Sequence, residues 1–307
     1  MVTRDELPEE YKEIWDNTLM PVDTNISFDD VILSEENRNK YKQVIKEQQY
    51  ADKFKEYGLE PINRLFLYGA SGTGKTFSLK ALANEIHYTM LYVDISKALS
   101  EGNIAKNVSN IFKLANYIGH CIIFFDECDV IAMSRDRDSA DTGDTRKALN
   151  NIFQQLDQMS VNNIFCCATN LEHRIDAAFE RRMNMKMFFR KPNMDIDDCV
   201  KKFIFTKFII NDDAEESVKE IIKKKASQNA KLSYYEIQEI VKREMKNAIL
   251  NDSNIVNTSD IYRSLATSMN VKLRAGTSSD NDKEFNKVTK LYDNTSIMDE
   301  IKDEVIV

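Results

Sequence analysis

The stretch Gly69-Ala70-Ser71-Gly72-Thr73-Gly74-Lys75-Thr76 constrains the fold of this chain more than any other. It satisfies G-x-x-x-x-G-K-[ST], with an apolar run, Leu65 to Tyr68, directly before it and a helix-like segment, Phe77 to Ile86, directly after. The spacing has a mechanical reason. Glycines let successive backbone N–H groups curl round a phosphate at a helix N-terminus, a lysine there bridges β- and γ-oxygens, and the following hydroxyl ligates Mg²⁺. A strand, a tight loop and a helix must therefore follow one another here.

The rest of the chain agrees with such a unit. Short apolar runs recur at Met90 to Val93, Cys121 to Phe125, Ile164 to Ala168 and Met187 to Phe189. Helix-like or polar segments separate them, which predicts five parallel strands with crossover helices, an α/β fold. Lys191-Pro192-Asn193 ends that pattern, and Met194 to about Met269 reads as helical throughout, a small all-α domain. With 8 Gly and 4 Pro in 307 residues, a turn-dense all-β fold is excluded. Ala275 to Asp282 reads as a solvated tract, followed by a short recognition or packing element in Ile297 to Val307.

Charge and cysteine usage narrow the setting. No stretch nears the roughly 20 apolar residues of a membrane helix. The net charge of −8 supplies no global field for a polyanion, so nucleic acid is a disfavoured partner. Cys121, Cys166 and Cys167 lie inside apolar runs, and Cys128 and Cys199 near the ends of others. That is the usage of a reduced cytoplasm, with cysteine as a small buried hydrophobe; zinc-ligand spacing is absent. Of the acidity, −5 belongs to the first 24 residues, where Arg4 and Lys12 face seven carboxylates. Within them Tyr11, Ile14, Trp15, Thr18 and Leu19 recur at helical spacing, which predicts an amphipathic helix over Glu9 to Met20. It either packs on its own domain or docks a partner.

Ile122-Ile123-Phe124-Phe125-Asp126-Glu127 is an apolar strand ending in two carboxylates. Neighbouring residues at a strand end point to opposite sides, so the acids can divide the work: Asp126 for the Mg²⁺ shell, Glu127 for the attacking water.

At this point the chain resembles the AAA+ ATPases, and more narrowly the AAA clade of spastin, katanin and the membrane-bound proteases, from Ser27 to Met269. Phe28-Asp29-Asp30-Val31 is similar to the entry motif whose backbone brackets adenine, which implies Val31 and Ile32 as base contacts. Tyr57-Gly58-Leu59 resembles the approach to the first strand. Ala168-Thr169-Asn170 resembles the element whose Asn positions the attacking water. Ile175-Asp176-Ala177-Ala178-Phe179-Glu180-Arg181-Arg182 resembles the segment that delivers arginine fingers, here Arg181 and Arg182, into a neighbouring subunit's site. The resemblance implies a P-loop NTPase sheet with a helical lid, ATP and Mg²⁺ as cofactors, and a hexameric ring. The implied organisation is an acidic leader, 1–26; a large ATPase domain, 27–192; a helical lid, 193–269; and a C-terminal tail, 270–307.

The departures are specific. Gly69-Ala70-Ser71 stands where the family has Gly-Pro-Pro. Lys231-Leu232-Ser233-Tyr234-Tyr235-Glu236-Ile237 stands where the family has a Ser-Gly-Ala-Asp stretch, and its two tyrosines would either tighten or crowd the base pocket. Where the family carries an aromatic-aliphatic-Gly pore loop, Leu99-Ser100-Glu101-Gly102 has no aromatic. Either Leu99 grips a substrate, or the ring does not thread polypeptide. Ser134 to Asp138, with Asp141 and Asp144, reads as a solvated loop, with intersubunit contacts at Arg146 and Lys147. These features imply an ATP-driven ring that remodels, disassembles or loads a protein partner. The alternatives are an ATP-switched assembly factor or an ATPase acting for a separate protease, since neither H-E-x-x-H nor G-x-S-x-G occurs. A DNA loader is disfavoured by charge.

Overall fold

The structure, a computed structural model, describes residues 1–95, 97, 104–132, 142–171, 175–192, 196–228 and 232–274. The readings placed on Leu99 to Gly102, on Ser134 to Asp141, on Lys231 and on Ala275 to Val307 lie outside the described residues, as do the side chains of Asp144, Arg146 and Lys147. The chain divides into two units, Met1–Phe189 and Arg190–Val307.

In the first unit, helix α1 (Glu9–Thr18) leads into strand β1 (Leu19–Met20), then helices α2 (Glu35–Gln49) and α3 (Ala51–Glu56). Strand β2 (Arg64–Gly69) feeds α4 (Lys75–Glu85), β3 (Thr89–Val93) precedes α5 (Ile104–Ile118), and β4 (Cys121–Phe125) precedes α6 (Asp129–Ala132) and α7 (Thr142–Gln158). Strand β5 (Ile164–Thr169), the turn of helix α8 (Ala177–Glu180) and β6 (Met185–Phe189) complete it. The sheet order is β1-β3-β4-β5-β2-β6, parallel except for β1.

Burial follows from strand position. Every residue of β4 and β5 is buried, as central strands covered on both faces must be. The edge strand β6 alternates instead, with Met185, Met187 and Phe189 inward and Lys186 and Phe188 outward. Alternate residues sort into two layers. Phe66, Leu91, Ile123, Phe125, Phe165 and Cys167 face Val108, Ile111, Phe112 and Ala115 of α5, and Leu149, Ile152 and Leu156 of α7. Leu65, Leu67, Met90, Ile122, Phe124 and Cys166 face Tyr41 and Val44 of α2 and Leu79 and Leu82 of α4. All five cysteines are buried.

The leader is part of this unit. Leu7 and Leu19 are buried in the α5/α7 layer, Tyr11, Ile14 and Trp15 pack against it, and Tyr11 stacks on Tyr117 at 4.4 Å. The apolar face of α1 is thus used within the chain, and its acidic residues face outward. The predicted helix to Met20 stops at Thr18, because Leu19 and Met20 pair antiparallel with Val93 and Tyr92. Among the described residues the sheet accordingly has six strands, one more than the apolar runs indicated.

The second unit contains α9 (Ile196–Phe203), β7 (Ile209–Asn211), α10 (Glu216–Gln228), α11 (Tyr234–Leu250), β8 (Ile255–Asn257) and α12 (Thr258–Arg274). Strands β7 and β8 pair in parallel, so this unit is not all-α: Ile209-Ile210-Asn211 and Ile255-Val256-Asn257, each led by two β-branched residues, find each other across the sequence. Helix α11 begins with a capping box in which Ser233 Oγ accepts from Glu236 N at 3.2 Å and Ser233 N donates to Glu236 at 2.7 Å. Asp213 accepts from Ser259 N at 2.9 Å in the first turn of α12. Among the described residues no helix is long and apolar enough to cross a membrane.

Gly69 closes β2 against Phe189 with φ +136°, and a Cβ there would collide with the Phe189 backbone carbonyl. Gly69→Ala is therefore expected to cost about 1–3 kcal/mol, read as a lower midpoint in urea denaturation. An unchanged midpoint would mean that this strand pair yields freely.

Candidate active site

Four strand ends meet at the loop after β2. Gly74, at φ +93°, turns the chain into α4, so that Lys75 and Thr76 occupy the helix's first turn. Lys75 is 7% exposed. Its Nζ donates to Gly69 O at 2.8 Å, to Ala70 O at 3.0 Å and to Asn170 Oδ1 at 2.8 Å. Burial pulls the ammonium pKa down and the Asp126 charge opposes that shift. Thr73 Oγ1 donates to Ala70 O at 2.7 Å and stiffens the loop, while Ser71 is exposed and Gly72 takes φ +71°.

Asp126, one residue beyond β4, turns to the same place. Its Oδ2 accepts from Thr76 Oγ1 at 2.9 Å and from Tyr92 OH at 2.9 Å, and its Oδ1 accepts from Glu127 N at 3.0 Å. Tyr92, which the sequence reading did not single out, sits on β3; burial and the Asp126 charge push its hydroxyl pKa up, so it remains a donor. Glu127 is exposed at φ +52°, a left-handed conformation that costs a non-glycine residue roughly 1–3 kcal/mol. The two carboxylates part at this kink.

The kink is pinned from β5. Cys128 N donates to Ala168 O at 2.9 Å, and Thr169 Oγ1 donates to Asp129 Oδ1 at 2.7 Å. Thr169 Oγ1 also accepts from Leu171 N at 2.9 Å, which brackets Asn170 between two tied residues. The donor set suits a hard cation. Thr76 gives its hydrogen to Asp126 and keeps its oxygen lone pairs available beside a carboxylate, the oxygen chemistry Mg²⁺ favours.

Residues 65–191 match the family described as ATPase family associated with various cellular activities (AAA). The chain carries an AAA ATPase domain. Its relatives include an uncharacterized AAA family ATPase of Sinorhizobium fredii, 29% identical over 58% of this chain and 53% of that protein. A protein named as a 26S proteasome regulatory subunit homolog from Methanothermobacter thermautotrophicus is 30% identical over 61% of this chain and 50% of its own length. The ATP-dependent zinc metalloprotease FtsH of Lancefieldella parvula is 30% identical over 54% of this chain and 27% of its own. The matches span about half the length of the first two and about a quarter of FtsH. They set the AAA domain in the AAA clade of the AAA+ ATPases.

The remaining candidate residues belong to other segments: Val31 and Ile32 precede the matched residues, and Arg181 and Arg182 follow α8. Val31 is buried in a turn where its N–H donates to Phe28 O at 3.3 Å; on either side of Val31 and Ile32, Phe28 and Leu33 pack on the α2/α4 layer, and the Ile26 carbonyl accepts from Asn84 of α4 at 3.1 Å. Asp176 caps α8 by accepting from Ala178 N at 2.7 Å, which sets the direction of the two arginines after it. They are not equivalent. Arg182 lies over the Phe153 ring at 4.0 Å and donates to Ala178 O at 3.2 Å. Arg181 is exposed, its Nε donating to Ala177 O at 3.2 Å.

Arg182→Ala is expected to cost about 1 kcal/mol through the lost cation–π contact, whereas Arg181→Ala is expected to be stability-neutral. Thermal melts of the two variants check this. Equal losses would contradict the distinction.

Proposed function

We propose that this AAA ATPase hydrolyses Mg·ATP at subunit interfaces of a hexameric ring and uses the cycle to remodel a protein partner. The observation that carries the reading is the convergence of Lys75, Thr76, Asp126 and Asn170 within hydrogen bonds of 2.8–2.9 Å. The loop N–H groups of Gly69 to Thr76, with Ala70, Ser71, Gly72, Thr73 and Gly74 between, bind the phosphates, and Val31 and Ile32 border the base. Lys75 exchanges part of its carbonyl set for phosphate oxygens, which is favourable because a buried ammonium gains a formal negative charge in place of dipoles. Thr76 and Asp126 would hold Mg²⁺, which neutralises developing charge when bound. Glu127 polarises the water that attacks the γ-phosphorus as the bond to the β-phosphate oxygen breaks. Asn170, on the Lys75 ammonium, orients that water.

Arg181 is the better of the two candidates for reaching a neighbouring subunit, being exposed where Arg182 is occupied by Phe153. Relatives named as a proteasome regulatory subunit homolog and as a protease support a protein partner over nucleic acid. The five free, buried cysteines support a reducing compartment such as the cytoplasm. A second reading, an ATP-switched assembly factor without pore threading, is favoured by the lack of an aromatic in Leu99 to Gly102.

Glu127→Gln is expected to lower ATP turnover about 100-fold or more while ATP binding persists, and to trap the ring with ATP in mass photometry. Turnover at the wild-type rate would refute the role of Glu127; a monomer under ATP would refute the ring.

A further inference from the structure

We propose that Tyr92 is a positioning residue for Asp126, and through that carboxylate for the divalent cation of the site; this rests on the reading of Thr76 and Asp126 as the metal-side pair. Tyr92 OH and Thr76 Oγ1 donate to the same oxygen, Asp126 Oδ2, each at 2.9 Å, while the Glu127 N–H occupies Oδ1. A carboxylate held at both oxygens cannot rotate without breaking bonds. Without the phenol, Oδ2 keeps Thr76 as its one side-chain donor among these, and Thr76 is itself the residue that must present lone pairs to the cation.

The reach of the side chain follows from register. Tyr92 pairs with Phe124 across β3 and β4, and Asp126 lies two residues further along the strand, roughly 6.6 Å away. Residues two apart share a face, so both point toward the α4 layer, and a phenol hydroxyl is long enough to span that offset. A threonine or serine at this place is too short, and a phenylalanine has no donor. The ring is fixed as well. It packs on Phe124 with centroids 5.1 Å apart, and on its other side β3 is paired by the leader, Met20 opposite Tyr92. The neutral donor preserves the negative charge that a cation's shell requires, which a lysine in its place would cancel.

The test compares wild type, Tyr92→Phe and Asp126→Asn as full chains. Nucleotide affinity without metal, Mn²⁺ affinity of the ADP-loaded protein by electron paramagnetic resonance, and the Mg²⁺ concentration for half-maximal hydrolysis are measured. Tyr92→Phe is expected to weaken Mn²⁺ binding about tenfold and to raise the Mg²⁺ requirement in parallel, with metal-free nucleotide affinity and melting temperature unchanged. Tyr92→Leu is expected to do the same to Mn²⁺ while also lowering the melting temperature. Mn²⁺ affinity in Tyr92→Phe within twofold of wild type, or an equal loss of metal-free nucleotide binding, would overturn the role of Tyr92. If Asp126→Asn also leaves Mn²⁺ affinity unchanged, the metal-side reading itself fails. If Asp126→Asn weakens it and Tyr92→Phe does not, the Tyr92 proposal fails alone.

Discussion

The bond from the Lys75 ammonium to Asn170 Oδ1 ties the loop after β2 to the end of β5, and most of the site is organised around that tie. A buried ammonium must be satisfied on all sides, since desolvation penalises its charge and an unpaired donor costs a further 1–3 kcal/mol, roughly. Gly69 O and Ala70 O take the other two donors, so the loop curls round its own lysine. The same logic fixes Asp126, whose carboxylate accepts from Thr76, Tyr92 and the Glu127 backbone. Charge burial and hydrogen-bond satisfaction together bring residues from β2, β3, β4 and β5 to one place.

That convergence depends on a sheet whose strands stay in register, and here the leader has a structural part. Val2 N donates to Thr89 Oγ1 at 2.8 Å and Asp94 N to Thr18 O at 2.9 Å, so the first 20 residues bracket β3 at both ends. With β1 paired to it, β3 is no longer an open edge inviting other strands. The acidity concentrated in the leader thus lies on the outer face of a helix whose apolar face completes the α5/α7 layer.

The strand, loop and helix around Lys75 were legible because every part of their signal is local: an apolar run, glycines at fixed offsets, a lysine and a hydroxyl. The parallel sheet was legible for the same reason, since buried central strands read as continuous apolar runs. What escaped was non-local. Leu19-Met20 is too short to show alternation, and its pairing with β3 depends on residues more than 70 positions away. The β7–β8 pair escaped likewise, each strand being three residues long. Tyr92 read as one apolar strand residue among several, and its role is visible only through the register with β4. Arg181 and Arg182 are neighbours in sequence, and Phe153 on another helix is what separates them.

Because the Lys75–Asn170 tie holds the site together, single-turnover hydrolysis of prebound ATP by Asn170→Ala tests it most directly. A rate lowered about tenfold or more is expected, because the loss of Asn170 Oδ1 leaves a donor of the buried Lys75 ammonium unpaired and removes the group proposed to orient the water. A wild-type rate in that variant would contradict it.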